Sequence, residues 1–186
     1  MKRTGLETKN LIESCIKKDE SAFRILVDRY AGYAFSVAYR VVNDEEEAKD
    51  IVQESFIAAW NGMERFDSGR NFSNWLYRII VNKCFDSLRR GRLKGINRTE
   101  AEHPGISRII SDSDPGKKLE NKEIGRIIRL MTGKLSPKQK TVFILSALEG
   151  LSHDDISEIT GMAKSSVKSN LNHAIKKIRA CLEKYL

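Results

Sequence analysis

Histidine and cysteine are scarce in this 186-residue chain, with three of each. His103, His153 and His173 do not stand at metal-ligand spacing from Cys15, Cys84 or Cys181, so no metal site is expected. The cysteines are odd in number and far apart, which implies no disulfide framework and fits a reducing compartment. No apolar run is long enough to cross a bilayer. Residues 1–20 carry Lys2, Arg3, Lys9, Lys17 and Lys18 but lack the apolar centre of a signal peptide. These absences point to a cytoplasmic protein with no membrane insertion. A Gly-rich phosphate loop, a metal cluster and a Ser/His/Asp arrangement are also missing, so neither an enzyme nor a cofactor is expected. Strand alternation and fixed-period repeats are absent as well.

What is present is helical periodicity. Phe23, Leu26, Val27, Tyr30, Ala34, Val37, Ala38 and Val41 share one helix face. Asn43 with Glu46 can form a capping pair opening a second helix, which buries Ala48, Ile51, Val52, Ser55 and Ala59. A third, from about Ser73, places Leu76, Ile79, Ile80, Cys84 and Leu88 on one side. Residues Gly91–Lys118 hold glycines, prolines and serines with few apolar residues, and read as a flexible linker. Helical spacing returns with Ile124, Ile127, Ile128 and Met131. Ser136-Pro137-Lys138-Gln139 is a helix-start signal. Gly150 ends that helix, Ser152 starts a short one ended by Gly161, and a long helix runs from about Lys164 with Val167, Leu171, Ile175, Ile178 and Leu182 buried. The fold class expected is all-α: two small helical domains, residues 1–90 and 119–186, joined by a linker over 91–118.

The net charge of +8 suits a polyanion partner, but its distribution says more. Asp44, Glu45, Glu46, Glu47, Asp50 and Glu54 face only Lys49. Lys83, Arg89, Arg90, Arg92, Lys94 and Arg98 face only Asp86, and Lys164, Lys168, Lys176, Lys177, Arg179 and Lys184 face only Glu183. Any one of these stretches alone reads as a solvated helix face. Leu151–Arg179 has helix-turn-helix form, with Gly161 in the turn and Lys164, Ser165, Lys168, Ser169, Asn172 and Lys176 outward. Such a face suits a major groove: lysines neutralise phosphates, and Asn or Ser meet base edges. A helical hairpin with a polar face has the same spacing, so the pattern alone leaves both open. Upstream, Phe66, Phe72, Trp75, Tyr77 and Phe85 interleave with Arg65, Arg70, Arg78, Lys83, Arg89 and Arg90. Aromatic platforms with cations suit single-stranded nucleic acid. Core filling is the better reading for Trp75 and Phe85, whereas Phe66 and Phe72 stay open between the two. The acidic helix should be repelled by DNA and suits a basic protein surface.

In this order, three segments resemble the extracytoplasmic-function sigma factors, a small two-domain subgroup of the sigma-70 family. "DEEEAKDIVQESFIAAW" is similar to the part of region two that binds the beta-prime clamp helices of RNA polymerase. "FSNWLYRIIVNKCFDSLRR" is similar to the helix engaging the minus-ten element. "LSPKQKTVFILSALEGLSHDDISEI" followed by "SSVKSNLNHAIKKIR" is similar to region four, the reader of the minus-thirty-five element. The resemblance covers Ser21–Arg90 and Leu119–Leu182. It implies that Asp50, Gln53, Glu54 and Phe56 face the polymerase. It implies that Phe72, Trp75, Arg78, Asn82 and Lys83, with Arg89 and Arg90, serve the minus-ten element, and that the loop before the helix captures a flipped base. Lys164, Ser165, Ser166, Lys168, Ser169 and Asn172 would read the minus-thirty-five element. The implied partners are core RNA polymerase (clamp helices and beta flap), promoter DNA and an anti-sigma factor, with the linker passing near the RNA exit path. Departures fall on the reading face. Ser165-Ser166-Val167 stands where the family usually has Gly-Thr-Val, Ala163 where a capping hydroxyl is frequent, and Asn170 and His173 where it usually has arginine. A helix-turn-helix regulator acting on duplex DNA alone would explain the C-terminal half but not the acidic helix or the aromatic loop, and a pure protein adaptor would not explain the two basic stretches.

Overall fold

The computed structural model describes residues 2–93 and 131–183. The sequence-expected linker beyond Leu93, the helical spacing at Ile124, Ile127 and Ile128, and Lys184 lie outside the described residues.

Four helices form the N-terminal unit: α1 (Lys2–Ile16), α2 (Glu20–Val42), α3 (Glu45–Gly62) and α4 (Phe72–Leu93). The first was not expected from the sequence. Its register is nevertheless visible in Leu11, Ile12, Cys15 and Ile16, which lie on the side packed against the core. Asp19 caps α2, its carboxylate accepting from the backbone N–H groups of Ser21 and Ala22 at 2.9 and 3.1 Å. The boundary between α2 and α3 sits one residue from the expected place. Asn43 is the C-cap of α2, in left-handed conformation with φ 59°, and Asp44 is the N-cap of α3, accepting from Glu47 N–H at 2.9 Å. Asparagine tolerates that backbone region, so the residue that resembled a start closes the preceding helix. Glu45, Glu46 and Glu47 then fill the first turn of α3, where carboxylates complement the positive end of the helix dipole. A 3-10 turn, Met63–Arg65, leads into the loop before α4. The last of these helices continues three residues past Arg90, into the glycine-containing stretch read as linker.

The C-terminal unit holds α5 (Pro137–Phe143), α6 (His153–Thr160) and α7 (Lys164–Leu182). The start signal at Ser136 is a reciprocal capping box with Gln139, with Pro137 at the first position. This helix runs into a π-helical turn, Ile144–Leu148, and ends at Gly150, whose φ of 67° favours glycine. Ser152 and Asp155 form a second capping box on α6. Gly161, at φ 69°, makes the turn to α7. No strand occurs among the described residues.

One apolar cluster spans both units. Leu26, Val37, Val41, Ala48, Met63, Leu76, Ile80 and Cys84 of the first unit join Val142, Ile144, Leu145, Ile156, Ile159 and Val167 of the second. A smaller cluster, Leu135, Ala174 and Ile178, closes α5 on α7. Two polar links cross between the units. Arg40 of α2 pairs with Glu149 at 2.7 Å, and the buried Asn74 of α4 donates its amide to Asp155 at 2.8 Å and Glu158 at 3.0 Å. In addition, Lys140 of α5 is only 6% exposed. Burial holds its ammonium down to about 8, and the Cys84 thiol of α4 acts weakly in the opposite sense.

The Lys140 environment has a consequence for pH dependence. Its proton is lost near pH 8 in the folded chain but kept to about 10.5 in the unfolded one, so stability rises with pH once that window is entered. The Cys84 thiol, pushed up to about 12 from 9.0, opposes this above pH 9. Thermal stability should therefore increase between about pH 8 and 9. Lys140→Met should abolish that increase and add roughly 1–3 kcal/mol of stability at pH 7. Thermal denaturation across this range checks it; an unchanged pH profile in the variant would disprove the assignment to Lys140.

Candidate nucleic-acid and partner interfaces

On α3 the buried positions Ala48, Ile51, Ser55 and Ala59 leave Glu46, Lys49, Asp50, Gln53, Glu54 and Ile57 on the outer side. Asp50, Gln53 and Glu54 thus lie together on an exposed face, as the sequence implied. Phe56 does not join them. It is 7% exposed and meets Phe23 edge-on at 6.4 Å, because its position follows Ser55 around the inner side of the helix. The exposed apolar residue of that face is Ile57, 53% exposed. Periodicity alone could have found it, since 50, 53, 54 and 57 follow 3–4 spacing.

Glu54 also faces α4, where the Lys83 ammonium lies 2.8 Å from its carboxylate. The hydrogen bond from Lys83, with its charge, lowers the Glu54 carboxyl below the usual carboxylate range despite slight desolvation. Glu47, Asp50, Asp86 and Arg90 line the rest of this groove between α3 and α4. A side chain implied for polymerase and one implied for DNA are therefore paired with each other.

The basic side of α4 presents Arg78, Asn82, Arg89 and Arg90 to solvent; Lys83 is partly covered. Arg89 pairs with Asp86 at 3.1 Å. Asn71 caps the helix by accepting from Ser73 and Asn74 N–H groups. The loop before it is built around an aromatic group. Phe66 and Phe72 are both buried, their centroids 5.7 Å apart, and Trp75 lies 4.9 Å from Phe66 and 5.7 Å from Phe72. Tyr30 of α2 covers the other side of Phe72 at 5.3 Å. Gly62 admits the indole: a Cβ there would come within 3.2 Å of Trp75. The rings of Phe66 and Phe72, left open between stacking and packing by the sequence, are packed; Trp75 is half-buried. Apolar burial is satisfied within the loop, so Phe72 shapes it rather than offering a solvent-facing platform.

In the helix-turn-helix, Val167 packs into the core while Lys164, Ser165, Ser166, Lys168, Ser169 and Asn172 are all exposed. This face forms an open groove with His173 and Lys176. Lys164 is held by Asp154 of α6. Ala163, at the N-cap, offers no side-chain bond. The two positions that depart from arginine are turned onto their own helix: Asn170 donates to the Ser166 carbonyl and the His173 imidazole Nδ1 meets the Ser169 carbonyl, both at 2.8 Å.

Two helical units, one ending in a helix-turn-helix with an exposed polar face, define an architecture shared by many DNA-binding proteins. Comparison with known proteins narrows the class. Residues 26–93 match the sigma-70 region 2 family and residues 125–178 the sigma-70 region 4 family. The sigma factor SigW of Bacillus subtilis is 32% identical over 178 residues, covering 92% of this chain and 94% of SigW. The sigma-E factor of Haemophilus influenzae is 34% identical, covering 88% of this chain and 89% of that one. The solved structure of CnrH in complex with the cytosolic domain of CnrY aligns with a TM-score of 0.70 at 26% identity, over 96% of this chain and 98% of CnrH. The chain belongs to the extracytoplasmic-function RNA polymerase sigma factors of the sigma-70 family. Members are transcription initiation factors, not enzymes. Among the described residues no helix is long and apolar enough to cross a membrane.

Because Phe56 faces inward, Phe56→Ala should cost about 3–5 kcal/mol of stability. Denaturant unfolding checks this, and an unaltered midpoint would place the ring outside the core.

Proposed function

We propose that this sigma factor divides promoter selection among three surfaces. The outer face of α3, with Asp50, Gln53, Glu54 and Ile57, docks on the beta-prime clamp helices of core RNA polymerase. The exposed side of α4, with Arg78, Asn82, Arg89 and Arg90 and the partly covered Lys83 beside them, holds the melted minus-ten strand, over the aromatic group of Phe66, Phe72 and Trp75. The face of α7 reads the duplex minus-thirty-five element through Lys164, Ser165, Ser166, Lys168, Ser169 and Asn172, with its unit against the beta flap. Residues 1–90 and 119–186 are the corresponding domains.

The observation that carries this reading is the separation of charge. Asp50 and Gln53 stand together on the exposed face of α3, where DNA is repelled, while Arg78, Asn82, Arg89 and Arg90 of α4 and Lys168 and Asn172 of α7 face solvent elsewhere; the Glu54–Lys83 pair marks the boundary between the α3 and α4 surfaces. Binding energy for the open strand favours melting as a shift of population, and no bond is made or broken by the chain. Because Asn170 and His173 stand where the family usually has arginine, fewer cations anchor phosphates around α7, and the salt dependence of its DNA binding should be shallow. CnrH is solved with the cytosolic domain of a second protein, which supports an anti-sigma partner for this chain too. The inferred setting is the cytoplasm, where polymerase and promoter are met.

Co-elution with core polymerase, followed by transcription from a promoter library, tests the whole. New start sites with the reconstituted holoenzyme are expected. Duplex binding by the chain alone, with no association with core, would replace this reading by a stand-alone regulator.

Two substitutions separate the surfaces. Asp50→Arg should weaken core association about tenfold or more by reversing charge on the docking face, and Ile57→Ala should weaken it several-fold at unchanged thermal stability. Titration against fluorescent core polymerase measures both; undiminished affinity would remove the α3 face from the interface. Lys168→Ala should leave core binding intact, weaken promoter binding by the holoenzyme and reduce its salt slope by about 0.9. A loss of core binding in the same variant would indicate misfolding instead.

A further inference from the structure

One residue on the outer face of α7 differs in chemistry from its neighbours. His173 is exposed and lines the open groove of this face with Ser165, Lys168, Ser169, Asn172 and Lys176. Its imidazole is anchored at one end. Nδ1 lies 2.8 Å from the backbone carbonyl oxygen of Ser169, one turn earlier, and 3.4 Å from the Ser169 hydroxyl. A carbonyl oxygen carries no hydrogen, so a contact of that length requires the proton on Nδ1. A neutral imidazole has a single N–H, which leaves the other nitrogen, Nε2, with its lone pair. Nε2 belongs to the tip of the ring, away from the backbone that Nδ1 engages. Among the other lining residues, Lys168 and Lys176 donate only, whereas Ser165, Ser169 and Asn172 both donate and accept. His173 therefore brings to the groove a tip atom that accepts and cannot donate.

We propose that His173 is a specificity-determining residue of this chain: Nε2 accepts a hydrogen bond from the exocyclic amine of a cytosine or an adenine at one base pair of the duplex element, and so selects amino bases over keto bases on the strand it faces. This rests on the assignment of α7 to the minus-thirty-five element. The chemistry of the major groove makes the choice. Its donors are the cytosine N4 and adenine N6 amines, while guanine N7 and O6 and thymine O4 are acceptors. The lone pair of Nε2 bonds to the amines and is repelled by the keto oxygens. Phosphate oxygens also accept, so this tautomer gains nothing against the DNA backbone. Arginine at the same place acts in the opposite sense. Its guanidinium donates only, always carries charge, and pairs with guanine N7 and O6 or with phosphate. Histidine in its place inverts donor and acceptor and does not merely weaken one contact. The Ser169 carbonyl that selects the tautomer belongs to the helix backbone, so the direction of the reading atom is set before DNA arrives and little ordering is left to binding.

The test uses holoenzyme reconstituted from the full chain and a duplex library randomised across the minus-thirty-five element, with the bound sequences counted. One position should prefer cytosine or adenine over guanine or thymine by about fivefold or more. His173→Leu should flatten the preference at that position. His173→Gln, whose amide oxygen can accept in place of Nε2, should keep the preference for amino bases, and His173→Arg should turn it to guanine. Every other position should keep its preference, and the melting temperatures of the variants should match wild type because the side chain is exposed. Deleting the amine from the DNA separates its two sources: purine in place of adenine, or an amine-free pyrimidinone in place of cytosine, should weaken binding by wild type and leave His173→Leu unaltered. Base preferences identical in all four proteins, or a keto base preferred by wild type, would overturn the proposal. So would a His173→Arg variant that binds every sequence more tightly, with a steeper salt dependence and no change of preference, which is the behaviour of a phosphate anchor. If Lys168→Ala also leaves duplex binding unaltered, the assignment of α7 fails and the role of His173 with it. If Lys168→Ala weakens binding while the His173 variants select the same bases as wild type, the assignment of α7 stands and the His173 proposal alone fails.

Discussion

The buried stripe of α4 is the constraint around which the rest is arranged. Leu76, Ile80, Val81 and Cys84 are almost wholly inaccessible, and α2, α3, α5 and α6 all pack on this helix. A helix surrounded on so many sides has little surface left, and what remains carries Arg78, Asn82, Arg89 and Arg90. The polar side of α4 is therefore a rigid ridge, held from beneath by the core of one unit and flanked by the other. For the strand-binding role proposed for this surface, rigidity means that ordering costs are met by folding and not by binding.

The loop before α4 follows from the same economy. Phe66, Phe72 and Trp75 bury one another, and Tyr30 and Gly62 complete their surroundings. The loop thus has a small core of its own, and its shape is set by ring packing. Its exposed residues, Asp67 to Asn71, are carried on that base, with the Asp67 carboxylate accepting from Gly69 N–H at 2.9 Å to fix the turn.

Much of this was legible in the sequence because it is local. Ser136-Pro137-Lys138-Gln139 and Ser152 to Asp155 are capping boxes whose partners stand three residues apart, and Gly150 and Gly161 mark turns by their own backbone preference. The outward face of α3 follows from helical spacing, and so does that of α7 except at Ile175, which the spacing placed inside and which is 41% exposed. Elsewhere the signal was ambiguous or distant. Asn43 and Asp44 are adjacent and both suit a cap, and only the backbone decides which closes α2 and which opens α3. Phe56 sits one position from an exposed face, so a motif that names it says nothing about which way its ring turns. Arg40 and Glu149 are 109 residues apart, and Asn74 and Asp155 are 81 apart; no periodicity relates them. Such pairings depend on how the two units meet, which neither unit's pattern encodes.

The placement of the tryptophans has a practical side. The chain has two, Trp60 and Trp75. The first lies 4.9 Å from Phe23 with the Lys18 ammonium over its ring; the second lies in the first turn of α4, packed on Phe66 of the preceding loop. Both belong to the N-terminal unit, and the helix-turn-helix has neither tryptophan nor, among its described residues, tyrosine. Under tryptophan-selective excitation, the molecule emits from one half only. Trp75, half-buried in the first turn of α4, is a native optical reporter for events at the surface of that helix, and the other half is spectroscopically dark.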